Sequence, residues 1–320
     1  MKSTFAIKYR PEILLEVIGN KAIVKVIQQM IDTETFSHIM LEGMTGSGKT
    51  TLARILANNF GAQSVDEINC VFYSGINDMR EKIESLQKTS FLKKRVLILD
   101  EIHRLSAQSQ DVLLKPLEDG VASDVLIIAC TTTTEKLNPM LLDRFKRLKV
   151  MPLSNKEALV LIERVEKIEQ VEIPKWKKVL LVEKSDGVPR RLLSNMEKVL
   201  SINDEKEVSF LLDLSAYEEE NGDVLELFKS MLAMQSWAIV KDKLKKCLKS
   251  VAPEGIRIGL MNIISARLMS DYGTDDEKLR LSFTYDGLKI PLQFPEKANI
   301  TFLVYNMSGI MRKLNRGDEK

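Results

Sequence analysis

Between Ile39 and Val150 apolar residues come in short blocks, each bounded by charge or glycine, and the blocks alternate with longer stretches in which apolar residues recur three and four apart. The blocks Ile39 to Leu41, Val96 to Leu99 and Val125 to Cys130 predict strands, apolar on successive residues as a sheet covered on both faces requires. The stretches Thr50 to Phe60, Asp78 to Gln87 and Ser106 to Glu118 predict the intervening helices. Such alternation is the signature of an α/β domain with a parallel sheet and helices on both faces. After Pro152 the strand pattern fades. Asn155 to Ile168, Pro174 to Ser185 and Pro189 to Leu200 predict three helices, the last with proline in its first turn. The acidic stretch Tyr217 to Asp223, containing Gly222, reads as a boundary. Beyond it Val224 to Met234, Ala238 to Leu248, Pro253 to Ser270 and Asn299 to Leu314 have helical spacing, whereas Lys278 to Phe294, with Pro291, reads as a loop or short hairpin. The expected domains are a nucleotide-binding domain at 1–152, a helical lid at 153–215 and an all-α domain at 216–320.

Composition narrows the class without naming a function. The 320 residues are 44% apolar and 29% charged, with 47 Lys and Arg against 45 Asp and Glu. A formal charge of +2 supplies no broad basic field, so any contact with nucleic acid must be local. The three cysteines, Cys70, Cys130 and Cys247, are far apart and form no CxxC pair, which argues against a zinc module or a disulfide framework and suits a reducing cytoplasm. The first ten residues carry charge without an apolar core, and no apolar run approaches the roughly 18 residues that span a bilayer. Neither secretion nor a membrane partner is expected.

Candidate chemistry concentrates at two strand ends. Gly43-Met44-Thr45-Gly46-Ser47-Gly48-Lys49-Thr50 is a complete GxxxxGK[ST] phosphate loop between a predicted strand and helix. Its glycines let consecutive N–H groups, from Thr45 through Thr51, turn toward phosphate oxygens at the positive end of a helix. Lys49 would reach the β- and γ-phosphates of ATP and Thr50 would hold Mg²⁺. The strand Val96 to Leu99 delivers Asp100 and Glu101 side by side. Alternation along extended backbone separates their roles, Asp100 toward the metal and Glu101 toward the γ-phosphate as general base.

These residues, continued by Ile102-His103-Arg104-Leu105-Ser106 and Gln110 to Glu118, resemble the clamp-loader ATPases of the AAA+ class, the replication factor C and DNA polymerase III gamma/tau type. Lys8-Tyr9-Arg10-Pro11, Glu16-Val17-Ile18-Gly19, Ile68-Asn69-Cys70 and Gly75 to Arg80 extend the resemblance over roughly Lys8 to Leu200, and phage large subunits are nearest in size. It implies an AAA+ sheet, a helical lid and a helical collar that holds a ring of subunits, in the cytoplasm of a cell or of a phage host. It implies an ATPase that loads a sliding clamp onto primer–template DNA, with the clamp, further loader subunits (of one or two types) and DNA as partners.

The same resemblance gives roles to single positions. Tyr9, Arg10, Val17 and Ile18 would line the adenine and ribose side, although Val17 and Ile18 suit core packing equally. Thr132 matches the first sensor, with Thr131, Thr133 and Thr134 as neighbours that also qualify. Arg190 matches the second sensor, with Arg191 beside it. Arg144 stands where an arginine finger reaches the ATP of the adjoining subunit, within Leu142-Asp143-Arg144-Phe145, or else serves as a helix-end charge. Arg80, Lys82, Arg104 and Lys115 are candidates for DNA phosphates, or a solvated face. Ser90, Phe91 and Leu92 would meet the clamp, unless the two apolar side chains tuck under the sheet. A branch-migration motor of the Holliday-junction type shares Asp100 to Ser106, Asp143 to Phe145 and Gly187 to Arg190. Only about a dozen residues separate Glu118 from the sensor, too few for that family's inserted hairpin. A non-hydrolysing scaffold is the third reading, opposed by Lys49, Thr50, Asp100 and Glu101 all being in place.

Overall fold

The computed structural model describes residues 4–88, 94–118, 125–269, 274–293 and 296–313. In chain order its elements are α1 (Phe5–Lys8), α2 (Lys21–Asp32), β1 (Ile39–Glu42), α3 (Lys49–Asn59), β2 (Ser64–Asn69), α4 (Ile76–Lys88), β3 (Arg95–Asp100), α5 (Ala107–Glu118), β4 (Val125–Thr131), α6 (Pro139–Leu142) and β5 (Lys146–Lys149). Helices continue to the end: α7 (Asn155–Glu169), α8 (Lys175–Glu183), α9 (Pro189–Val199), α10 (Glu205–Leu232), α11 (Trp237–Ser250), α12 (Pro253–Met269), α13 (Asp275–Leu288) and α14 (Glu296–Lys313). The chain divides into two compact units, Met1–Pro174 with Leu181–Glu197, and Lys175–Leu180 with Lys198–Lys320.

The first unit is built on a five-stranded parallel sheet in the order β2-β3-β4-β1-β5. Alternation sorts its central side chains onto two faces. Ile39, Leu41, Val96, Ile98, Leu126, Ile128 and Cys130 pack under α2 and α3, against Ile27, Leu52 and Ile55. Met40, Leu97, Leu99, Ile127 and Ala129 pack under α4 to α6, against Met79, Leu113 and Leu141. Both faces being covered, the three central strands are apolar without a break, which is why they are legible as blocks. The edge strands β2, with the sequence Ser-Val-Asp-Glu-Ile-Asn, and β5, Lys-Arg-Leu-Lys, carry mostly exposed or half-exposed side chains and so lack that pattern. The expected helices at 155–168, 174–185 and 189–200 are present as α7, α8 and α9.

The second unit is entirely helical among the described residues. Its core gathers Val224, Phe228 and Met231 of α10, Leu244 of α11, Leu260 and Ile264 of α12, Leu281 and Leu288 of α13, and Ile300, Val304 and Met311 of α14.

Two readings of this half need correction. The boundary expected at Tyr217 to Asp223 lies inside the single helix α10. A glycine at position 222 costs a helix only about 1 kcal/mol, too little to end one whose later turns bury Val224, Leu225, Leu227, Phe228 and Met231. The loop or hairpin expected at Lys278 to Phe294 is, as far as Leu288, the helix α13, whose Thr274 side chain accepts a hydrogen bond from the Glu277 N–H. Its buried face is only Leu281, Thr284 and Leu288, and the exposed Leu279 and Phe283 on the other side blur the period. The compact units also cut the chain differently from the expected 1–152, 153–215 and 216–320: residues up to Pro174 and from Leu181 to Glu197 group with the sheet.

Candidate functional site

The carboxyl ends of β1, β3 and β4 meet at one edge of the sheet, where an open parallel sheet places its ligands. β1 leads into the phosphate loop, β3 ends at Asp100, and β4 ends at Thr131, whose carbonyl accepts the Gly43 N–H at 3.1 Å. Two glycines of the loop are there for lack of room. A Cβ on Gly43 would stand 2.5 Å from the Val150 carbonyl oxygen. One on Gly46, at φ +80°, would meet Val188 Cγ1 and Arg190 Cβ at 3.0 Å, so this glycine lets α9 close over the loop.

The loop's polar groups are arranged for an anion. Lys49, only 5% exposed, turns its Nζ back to donate to the Gly43 and Met44 carbonyl oxygens at 2.9 and 3.0 Å. Burial pushes its pKa below the ordinary lysine value, with Glu101 and Asp100 pulling the other way. The Ser47 hydroxyl is buried and has no hydrogen-bond partner among the described residues, an orphan that a phosphate oxygen would satisfy. Burial lowers the pKa of Arg10, and the nearby Arg54 and Arg190 guanidinium groups lower it further. Arg10 and Arg190 share one cavity, and two cations that repel one another there gain from a polyanion between them. Tyr9, Arg10, Val17 and Ile18, the loop residues Thr45 through Thr51, Asp100, Glu101 and Arg190 all line this cavity. Pro189, Leu161 and Arg164 of the lid helices join them, the last with its guanidinium on the Glu16 carbonyl at 2.8 Å.

At the acidic end Thr50 Oγ1 donates to Asp100 Oδ2 at 3.2 Å, so the two oxygens expected to hold a divalent cation are already adjacent. Two oxygen donors fit Mg²⁺ if phosphate and water complete its shell. Glu101 has a positive φ of 55°, which swings its side chain out of the strand's alternation. Its Oε2 lies 3.3 Å from Nδ1 of His103, and the same nitrogen is 3.0 Å from Thr131 Oγ1. His103 is 8% exposed, and burial holds its pKa below the usual imidazole value against the pull of Glu101.

Other candidates stand apart from the cavity. Thr132 is half-buried beyond the end of β4 and is not among the lining residues. Arg144 is exposed and paired with Glu118 at 2.6 Å. Arg191 points to Asp186. Arg80, Lys82, Arg104 and Lys115 are exposed, on α4, on the turn Ile102–Arg104 and on α5. Ser90, Phe91 and Leu92 lie outside the described residues. Sequence reasoning gave no role to Arg164, which lines the cavity, or to His103, and to Thr131 only that of a neighbour of the sensor; the last two are linked to Glu101 and do not line the cavity. His103 stands inside the acidic motif, and its place two residues after Glu101 was the available signal. Nothing in the linear pattern singles out Arg164.

Residues 39–153 match the family model of the AAA proteins, the ATPase family associated with various cellular activities. This segment is an AAA ATPase domain. The chain is similar to the DNA polymerase III subunit gamma/tau of Mycoplasma genitalium, 29% identical over 234 residues that make up 65% of this chain and 39% of the relative. Replication factor C subunit 4 of Saccharomyces cerevisiae is 28% identical over 202 residues, 61% of this chain and 62% of that protein. The chain therefore spans less than two thirds of the length of these relatives. Among solved structures, the RuvB Holliday junction branch migration motor of Thermotoga maritima superposes with a TM-score of 0.53 at 24% identity, covering 72% of this chain and 80% of its own. At that identity the likeness concerns the AAA fold alone. Among the described residues no helix is long and apolar enough to cross a membrane.

Proposed function

We propose that the protein is a cytoplasmic clamp-loader ATPase subunit, which couples ATP binding and hydrolysis to opening a sliding clamp and placing it on primer–template DNA. The observation that carries this reading is the one cavity lined by Lys49, Arg10 and Arg190 together with Thr50, Asp100 and Glu101. Lys49 and the loop N–H groups hold the phosphates, and the orphaned Ser47 hydroxyl gains its partner there. Bound Mg²⁺ would neutralise charge on the phosphates, held by Thr50 and Asp100. Glu101 takes a proton from the attacking water. Arg190, brought over Gly46 by α9, ties the lid to the nucleotide. Arg144 would reach the ATP of a neighbouring subunit and make hydrolysis depend on assembly, a reading supported by its exposure and its absence from its own chain's cavity. Arg80, Lys82, Arg104 and Lys115 would meet DNA phosphates without reading bases. The helical part at 216–320 would hold a ring together.

The similarity to replication factor C and gamma/tau subunits favours this reading over branch migration, as does a second unit that is helical throughout its described residues. Steady-state ATP turnover, measured with a clamp, with primed DNA, with both and with a four-way junction, separates the alternatives. A loader shows more stimulation by clamp and primed DNA together than by either alone. A motor responds to the junction without any clamp, and a scaffold responds to nothing. In the loader, Glu101→Gln traps the clamp-bound state.

A further inference from the structure

The contacts of Thr131 decide how the ring of His103 is protonated. A hydroxyl carries one proton, and that of Thr131 is donated to the Thr133 carbonyl oxygen at 2.6 Å, while the Thr133 N–H donates back to the same hydroxyl at 3.2 Å. Toward His103 the Thr131 oxygen can therefore only accept, and the hydrogen of that 3.0 Å contact sits on Nδ1 of the ring. Glu101 Oε2, 3.3 Å from the same nitrogen, is also an acceptor. One Nδ1–H thus faces a carboxylate and a hydroxyl together. The resulting hydrogen-bonded chain joins the Glu101 carboxylate to the Thr133 backbone through His103, whose Nδ1–H donates, and Thr131, both buried. Its two ends, Glu101 and Thr133, lie just past β3 and β4, strands paired side by side.

We propose that His103 is the positioning residue for Glu101, a latch that ties the carboxylate of the base to the turn Thr131–Thr133 at the end of β4. This rests on the reading of Glu101 as the base. The consequence is a coupling: the turn that carries Thr132, the candidate sensor, shares a hydrogen-bonded chain with the base. A shift of that turn frees or fixes the carboxylate. His103 is buried and is not among the residues lining the cavity, so it acts through Glu101.

The test uses the full chain with clamp and primed DNA. It measures turnover at saturating ATP alongside the Kd of a fluorescent ATP analogue, for His103→Leu, His103→Asn, His103→Gln and Glu101→Gln. An asparagine amide can place an N–H near the position of Nδ1, whereas a glutamine amide reaches toward Nε2. We expect His103→Leu and His103→Gln to lower kcat about tenfold to a hundredfold at unchanged Kd, the range set by losing one hydrogen bond to a charged group. His103→Asn should recover most of it. If Leu at this position leaves kcat unaltered, or if Kd weakens in step with kcat, or if Asn does no better than Gln, the latch is wrong and the ring is packing. If Glu101→Gln itself retains wild-type turnover, the assignment of the base has failed and the latch falls with it. Should the leucine variant not fold, the comparison of Asn with Gln decides alone.

Discussion

Two buried lysines show how the same contact can serve opposite ends. Lys49 in the phosphate loop and Lys177 in α8 are 5% and 2% exposed, and each donates from Nζ to backbone carbonyl oxygens. For both, burial pushes the pKa below the ordinary lysine value. The surroundings differ. Lys49 has Glu101 and Asp100 within electrostatic reach and a cavity in front of it, so its carbonyl contacts hold a place that phosphate would take. Lys177 lies against the carbonyl oxygens of Val199, Leu200 and Ile202, closing the carboxyl end of α9 with donors that the helix lacks. A buried cation facing a cavity signals a ligand. One that saturates a helix end signals stability, with the charge favourably placed at the negative end of the dipole.

The contrast can be broken most severely at the first lysine. Lys49→Ala should abolish nucleotide binding, so that ATP no longer raises Tm, while the unliganded Tm stays within a few degrees of the parent; thermal shift with and without ATP checks both. The next largest effect is expected at Arg144. Arg144→Ala should lower turnover of the assembled protein about 10³-fold or more, leaving ATP affinity of isolated chains unchanged. Its pair with Glu118 is exposed on both sides, so little stability is at stake. If isolated chains of this variant bind ATP poorly, the assignment to a neighbour's site is wrong.

At the second lysine the expectation inverts. Lys177→Met should cost about 2–3 kcal/mol by leaving helix-end carbonyls without a donor, read as a shifted midpoint in urea, with ATP affinity kept. Loss of ATP binding without loss of stability would erase the distinction between the two. The smallest effect belongs to the capping box of α7, where Glu157 accepts from the Ser154 N–H and hydroxyl, at 2.8 and 2.7 Å, and its pKa is lowered by them. A lowered carboxylate contributes stability above its ordinary pKa, and that contribution disappears as pH falls through the folded value. Glu157→Gln should therefore cost well under 1 kcal/mol near neutral pH and nothing at low pH, seen in paired melts.

Much of this was legible in the linear chain wherever one physical requirement dominates a short window. The three central strands could be read because a sheet buried on both faces admits few polar side chains. The phosphate loop could be read because its glycines, Lys49 and Thr50 must be contiguous to cradle one anion. Asp100 and Glu101 could be read because an acidic pair closes an apolar strand, although the alternation expected to part them stops at Asp100 and the left-handed backbone of Glu101 sets its direction instead. The edge strands β2 and β5 escaped, since half-exposed strands tolerate charge. The helix α13 escaped because its buried stripe is narrow and its exposed side carries Leu279 and Phe283.

The sequence by itself determined the groups available: a phosphate loop with Lys49 and Thr50, and the neighbouring carboxylates Asp100 and Glu101 at a strand end, all set by local spacing. Only the tertiary structure decided which distant groups share that chemistry. It brought Arg10, Arg164 and Arg190 to one cavity, kept Arg144 outside it, and set His103 between Glu101 and Thr131. Those pairings depend on which strands lie side by side and which helix closes over the loop. No local periodicity encodes that, because it is a property of the packed core.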